Sequence, residues 1–305
     1  MTELWGLGDF SLAVPFLRMA ARHARVTVLA QPRTAALLAR FAPETALVAL
    51  SAPWTAFRGK YRLHAWPWRQ LTQAIRTLRA QQFDVAVSAR PDPRDHALMF
   101  LAGAKTRLGF PRAGSRPLLT RALPRPPQPH RAEHWRALAS ALGWPVPDDP
   151  LPRRRPGRRI VIHTGAAQPT RRWPRERFEE IAARLRTAGW DVTVIDESHG
   201  DLPALLDQLD AADRFIGNDS GPGHFAALLG VPTFTVFGPV LPSHFAPQHP
   251  LASWIEGAPC RYKPCFDSCR FAEPHCILAL DVDTVWSRLQ PWLARPTAPA
   301  GAAGA

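Results

Sequence analysis

The sequence predicts an α/β protein built from two Rossmann-like domains facing a cleft. Three observations carry this. Strand-like and helix-like segments alternate through the first half, a Pro- and Arg-rich segment interrupts them near residues 144–158, and the same alternation then restarts. At 305 residues the chain is long for a single core, so two domains are also expected from size.

Taken in order, a short strand precedes the loop that holds Gly6, Gly8 and Asp9, and a helix begins near Ser11. RVTVLA (25–30), ALVAL (46–50) and DVAVS (84–88) read as buried strands of a parallel sheet, being short apolar runs rich in Val and Leu. Apolar spacing predicts helices near 12–22, 34–41, 67–80, 94–102 and 131–142. The segment 144–158 contains too many prolines and arginines for regular structure and reads as a linker. Beyond it, RIVIHTG (159–165) and DVTVI (191–195) read as strands flanking a helix over 174–189, and 202–212 reads as a short helix. The last helix is expected over 281–294, interrupted or kinked at Pro291, and 295–305 reads as a disordered tail. The predicted domains are 1–143 and 159–280.

Composition narrows the function. The chain is 46% hydrophobic and 21% charged, as expected of a soluble globular protein, and no run of apolar residues is long enough to span a bilayer. The start, MTELWGLGDF, lacks the basic and apolar regions of a secretory signal, so a cytoplasmic location is expected. Charge is uneven. Residues 1–150 hold 21 Lys+Arg against 9 Asp+Glu, whereas 151–305 hold 17 against 16. A basic first half suits an anionic partner, and nearly all its cations being Arg fits a coding bias that leaves the asymmetry unexplained.

The most informative stretch is FIGNDSGPGHFAALLGVPTFTVFGP (215–239). It reads strand, sharp loop, helix, turn, strand. Asp219 and Ser220 stand where helix-capping residues belong, and Gly221 and Gly223 permit a close approach to the backbone. A helix amino end of this kind suits a phosphate, because its first N–H groups are unpaired and its dipole is positive there.

This stretch resembles the D-[ST]-G-x-x-H-x-A-A-x-x-G-x-P segment and following [FY]-G-P turn of glycosyltransferase family 9, the bacterial heptosyltransferases of lipopolysaccharide synthesis. Asp219, Ser220, Gly221, His224, Ala226, Ala227, Gly230 and Pro232 match, followed by Phe237, Gly238 and Pro239. HTGAAQPTRRWPRERFEEIAARL (163–185) is similar to a second family block, and GLGDFSLAVPFLRMAARH (6–23) to an amino-terminal one. The blocks stand in the family order.

The resemblance implies the two-domain GT-B architecture. It also implies inverting transfer of a sugar, heptose being the family's example, from a nucleotide-diphosphate donor to a lipopolysaccharide-type acceptor. Asp9 is then the expected base, and no catalytic metal is needed. Donor-binding candidates are Thr164, Gly165, Arg171, Arg172, Asp219, Ser220, Gly221 and His224, with Glu197 (or Asp196) at the strand end where a carboxylate commonly meets a ribose hydroxyl. Arg171 stands two residues before the Trp173 of Trp-Pro, where the family has Lys or Arg. The bland readings are a capping Asp9, a solvated pair for Arg171 and Arg172, and a packed His224. The passage between DVTVI and DAADRF is short for the family, implying a thinner nucleotide-pocket wall. Expected partners are the nucleotide sugar, an anionic lipid-linked glycan and the anionic inner face of the inner membrane, but no nucleic acid.

All four cysteines, Cys260, Cys265, Cys269 and Cys276, fall in one short window. In a cytoplasmic protein such clustering favours a structural zinc ion, or else an iron–sulfur cluster, over disulfides; reduced packing cysteines are the alternative. A second function class stays open: a non-catalytic or regulatory relative that keeps the nucleotide fold and binds through its cysteine segment.

Overall fold

The computed structural model describes residues 1–55, 62–145, 157–196, 198, 200–265 and 268–296. It divides into two compact units, Met1–Asp149 and Pro150–Ala305. The predicted linker lies mostly outside the described residues, as do most of the predicted tail and Glu197.

The first unit runs β1 (Thr2–Glu3), α1 (Leu7–His23), β2 (Thr27–Ala30), α2 (Ala35–Phe41), β3 (Ala46–Ala49), α3 (Trp68–Ala80), β4 (Val85–Ser88), α4 (Pro93–Leu101), β5 (Thr106–Gly109), β6 (Arg121–Ala122) and α5 (Arg131–Ala141). Its sheet is parallel throughout, in the order β3-β2-β1-β4-β5-β6. The chain winds outward from β1 in one direction, then restarts at β4 and winds in the other. The β1/β4 boundary is therefore a topological switch point, and the crevice outside the carboxyl ends of those strands is the place such sheets offer a ligand. Both sheet faces are covered. Ala13, Phe16, Val87, Leu108, Trp135 and Leu138 pack into one apolar cluster, and Leu4, Leu29, Trp54, Leu71, Leu78 and Leu98 into another.

The second unit runs β7 (Arg159–His163), α6 (Arg175–Thr187), β8 (Asp191–Ile195), α7 (Leu202–Ala211), β9 (Arg214–Asn218), α8 (Gly221–Leu228), β10 (Thr233–Phe237), α9 (Pro242–Phe245), β11 (Ser253–Glu256), α10 (His275–Leu278) and α11 (Val282–Leu293). The sheet order is β11-β10-β9-β7-β8, again all parallel, so the switch point lies between β7 and β9. A single helix connects β8 to β9, in keeping with the short passage seen in the sequence. Ile160, Ile162, Trp173, Phe178, Ile216, Val285, Leu289 and Trp292 share one core cluster.

Several expectations shift in detail. Helix α1 starts at Leu7 rather than near Ser11, because Gly6 holds the extended cap position and its carbonyl accepts the Phe10 N–H at 3.0 Å. Asp9 thus sits in the first helical turn, not in a loop. Helix α11 is not interrupted at Pro291. The proline falls in the last turn, where its missing N–H removes a single bond, and Trp292 holds that turn by burial and by donating Nε1 to the Leu251 carbonyl at 2.7 Å. Strands β5, β6 and β11 were not visible in the sequence: TRLG, RA and SWIE are short and mixed in polarity. Among the described residues no helix is long and apolar enough to cross a membrane.

Candidate functional site

Charged side chains converge at the switch point of the first unit. Glu3 ends β1, and Arg90 follows β4, the neighbouring strand. Asp9 faces them from the first turn of α1, and Arg131 and Trp135 from α5; with Ala89, these residues line one pocket. An Arg90 terminal nitrogen contacts Asp9 Oδ1, while its Nε lies 3.9 Å from Glu3 Oε1. The Arg90 guanidinium also lies 4.7 Å from the centroid of the Trp5 ring. Asp9 does not cap its helix; Gly6 occupies that position.

Burial dominates the electrostatics here. Glu3 is only 2% exposed, and burial pushes its pKa up to about 7 against the pull of Arg90. Burial opposes the Arg90 charge too, but Asp9 and then Glu3 outweigh it and hold the guanidinium above its ordinary value. Burial, followed by repulsion from Arg90, lowers Arg131 to about 10. His134, one turn along α5, falls to about 4 through burial and Arg131.

At the switch point of the second unit the loop after β7 meets the start of α8. Asn218, the last residue of β9, is fully buried and ties the two together. Its Oδ1 accepts the Trp173 N–H at 2.9 Å, and its Nδ2 donates to the Thr164 carbonyl at 2.8 Å. Thr164 is fixed on its other side, its N–H donating to Ile195 O at 2.9 Å. Close packing demands Gly217, since a Cβ there would lie 3.0 Å from the His163 carbonyl oxygen. Arg171 Nη1 lies 3.3 Å from Asp219 Oδ2, beside the amino end of α8.

Asp92, Asp201 and Asp281 cap α4, α7 and α11 with their side chains, but Ser220 makes no such cap on α8. Its hydroxyl donates instead to Asn218 O at 3.3 Å. The first turn of α8, Gly221-Pro222-Gly223, therefore presents its N–H groups without a side-chain cap from Ser220.

The structure thus brings together Thr164, Gly165, Arg171, Asp219, Ser220 and Gly221. Arg172 donates Nε to the Ala166 carbonyl at 2.7 Å and so braces the loop after β7. His224 is buried in α8. Asp196, at the end of β8, pairs with Arg175 at 2.8 Å and accepts the Ser198 N–H at 2.9 Å. Glu3, Arg90, Arg131 and Asn218 did not emerge from sequence reasoning. Arg90 had a usable signal, since it stands just past the carboxyl end of the strand DVAVS.

The cysteine segment is anchored at the carboxyl edge of the same sheet. Cys265 N–H donates to Pro239 O at 3.1 Å, in the turn after β10, and Ala258 N–H donates to Cys276 O at 2.9 Å. All four cysteines are free thiols. Burial, then Cys260 and Cys269, raise the Cys265 thiol pKa. Among the described residues no group of three His, Cys, Asp or Glu side chains is arranged to hold a metal ion, so the thiols as placed do not form a metal site.

Comparison with known proteins gives a consistent result. The family description "Glycosyltransferase family 9 (heptosyltransferase)" matches residues 71–201 and 198–274. Lipopolysaccharide heptosyltransferase 1 of Pseudomonas aeruginosa is 27% identical over 281 residues, covering 75% of this chain and 78% of that protein. Among solved structures, a family 9 glycosyltransferase from Veillonella parvula has a TM-score of 0.77 at 19% identity, covering 96% of each chain. E. coli heptosyltransferase WaaC with ADP has a TM-score of 0.74 at 16% identity, covering 95% of this chain and 98% of that one. The iron-containing dodecameric glycosyltransferase TibC of E. coli H10407 has a TM-score of 0.57 at 16% identity, covering 96% and 74%. These structures share the fold, two parallel-sheet units of the GT-B class.

Proposed function

The chain belongs to glycosyltransferase family 9, and from that premise we propose that it transfers heptose, with inversion, from an ADP-linked donor to an anionic lipopolysaccharide-type acceptor. Glycosyltransferase activity is what the family carries. The donor is supported by the similarity to a heptosyltransferase solved with ADP. The observation that carries the assignment is the convergence of Thr164, Gly165, Arg171 and the start of α8 outside β7 and β9.

In this scheme the diphosphate lies at the α8 amino end, where unpaired N–H groups and Arg171 take up its charge. Asp219 orients Arg171 through their ion pair. Asp9 removes the proton from the acceptor hydroxyl as that oxygen attacks the anomeric carbon. The bond from the anomeric carbon to the diphosphate oxygen breaks on the opposite face, its electron pair leaving with ADP, and the proton stays on Asp9. No step requires a metal. Arg131 and Arg90, in the same pocket as Asp9, suit an acceptor phosphate or carboxylate.

We further propose that a lipid-linked acceptor brings the first unit to an anionic membrane surface, that of the cytoplasmic leaflet. Residues 45–83 contain six Lys and Arg and no Asp or Glu. Within this stretch Leu63 and Trp68 are 57% and 52% exposed, and the Trp68 indole donates to Leu63 O at 2.9 Å. Exposed aromatic and aliphatic tips beside cations suit an interfacial contact. For the cysteine segment we propose a structural metal, a reading supported by the clustering of the four cysteines and by an iron-containing structural neighbour. Binding would have to draw the thiols together.

The test is transfer from ADP-heptose to heptose-deficient lipopolysaccharide, with the product's anomeric configuration read by NMR. Transfer with inversion is expected. Absence of both transfer and any ADP-induced thermal shift at millimolar ligand overturns the proposal. Elemental analysis of anaerobically purified protein decides the metal: one zinc or iron per chain is expected, and four titratable thiols with no metal removes it.

A further inference from the structure

Glu3 is a buried carboxylate that the scheme above does not use, although it stands beside the expected base. Desolvating a carboxylate is costly, and a position at a strand end within a sheet would ordinarily take an apolar residue. What Glu3 touches accounts for its presence. Its Oε1 accepts the Trp5 N–H at 3.2 Å and faces Arg90 Nε at 3.9 Å. The other end of the same guanidinium contacts Asp9 Oδ1, with the Trp5 ring against its face. One cation thus spans two carboxylates that line the same pocket, Glu3 buried and Asp9 half-buried.

We infer that Glu3 is a positioning residue for the transfer reaction: it shares the Arg90 guanidinium with Asp9 and so sets how firmly Arg90 grips the oxygen that must accept the acceptor's proton. When Glu3 is ionised, Arg90 is divided between two anions and its hold on Asp9 loosens. When Glu3 is protonated, Arg90 belongs to Asp9 alone, and the oxygen is less available. The groups facing Glu3 are Arg90 beyond β4, Asp9 on α1 and Arg131 on α5. Asp95 on α4, buried and accepting from Ser88 Oγ at 3.3 Å, interacts with both Glu3 and Arg90, and burial, then Asp92 and Glu3, raise its own pKa well above the ordinary carboxylate value. Burial places the Glu3 ionisation near pH 7, within the working range of an intracellular enzyme.

The inference rests on Asp9 being the base, and the experiment separates the two. Steady-state rates with ADP-heptose and heptose-deficient lipopolysaccharide are measured against pH for wild type, Glu3→Gln, Glu3→Asp and Asp9→Asn. Wild-type kcat should climb through a step near pH 7, the range in which Glu3 ionises. Glu3→Gln should lose that step and run about 3- to 10-fold slower on the alkaline side, with the donor KM within about twofold, as expected for a loss confined to the proton-transfer step. Glu3→Asp should restore part of the step. A folded Glu3→Gln enzyme that keeps the wild-type profile overturns the inference. So does a wild-type profile with no step near neutrality, which needs no variant to fold. Full turnover by Asp9→Asn would instead defeat the assignment of the base.

Discussion

The two switch points of this molecule are built from opposite materials. In the first unit, the β1/β4 crevice is lined with side-chain charge: Glu3, which is buried, and Asp9, Arg90 and Arg131, which are half-buried. In the second, the β7/β9 crevice is built largely from backbone. Asn218 locks two loop segments, a helix start without a side-chain cap from Ser220 offers N–H groups, and the Arg171–Asp219 pair adds side-chain charge. Under the proposed scheme the difference follows from the tasks. Holding a diphosphate needs fixed donors that do not change protonation, and backbone amides provide them at any pH. Removing a proton needs a group that titrates, and a titrating group must be tuned by other charges.

Substitution at each site should therefore fail in its own way, and the largest effect should come from the first. Asp9→Asn keeps size and removes the proton acceptor, so kcat should fall roughly 10²-fold or more while ADP still raises the melting temperature. Loss of ADP binding in that variant would break the division of labour. Arg171→Ala should do the reverse. Removing a charge-assisted contact to phosphate should weaken ADP binding about 10-fold or more, read by calorimetry, and leave kcat at saturating donor less affected. A kcat loss with unchanged ADP affinity would shift Arg171 from ground-state binding to the transition state.

The asymmetry also explains what could be seen in advance. The second site was legible because backbone-built sites leave local patterns: a capping residue, glycines at fixed offsets, a helix start. Asp219 to Gly221 and Thr164-Gly165 are adjacent in sequence and could be placed without a fold. The first site was legible only at Asp9. Its partners Glu3, Arg90 and Arg131 lie on three separate elements, and only the strand order β3-β2-β1-β4-β5-β6 sets β1 against β4. Asn218 was hidden for a related reason, since its partners Thr164 and Trp173 are remote in sequence. The helices came through well because their apolar faces repeat over many residues. Short edge strands such as SWIE carry no such repeat.

The charge-rich site should also leave a mark on stability. Glu3 has its pKa raised from 4.5 to about 7 in the folded protein, first by burial. The folded state therefore binds more protons than the unfolded state between these values, and stability falls as pH rises from about 4.5 through 7. Above that window the ionised, buried Glu3 costs about 3 kcal/mol relative to its neutral form. Glu3→Gln should then be the more stable protein at alkaline pH, with the difference vanishing in acid. Denaturant titrations at several pH values check this, and a Gln variant less stable at every pH would contradict it.

The smallest expected effect concerns the surface rather than the crevices. Residues 1–150 carry a net charge of +12, and 151–305 a net charge of +1, so anionic vesicles should be bound through the first unit. Two contributions can be separated by salt. Attraction between exposed cations and acidic headgroups is screened over about 10 Å at 0.1 M ionic strength and should weaken steeply as salt rises. Insertion of Leu63 and Trp68 is apolar and should survive. Co-sedimentation with vesicles of mixed phosphatidylglycerol and phosphatidylcholine should therefore show a salt-sensitive majority and a residual component. Trp68→Ala should remove most of the residual component and weaken binding only several-fold overall, since a single interfacial aromatic contributes about 1 kcal/mol. Arg69→Glu with Arg76→Glu should instead flatten the salt dependence, because both arginines stand on the exposed face of α3. Binding that neither salt nor these substitutions changes would move the membrane contact elsewhere and leave the acid-free stretch without a role in it.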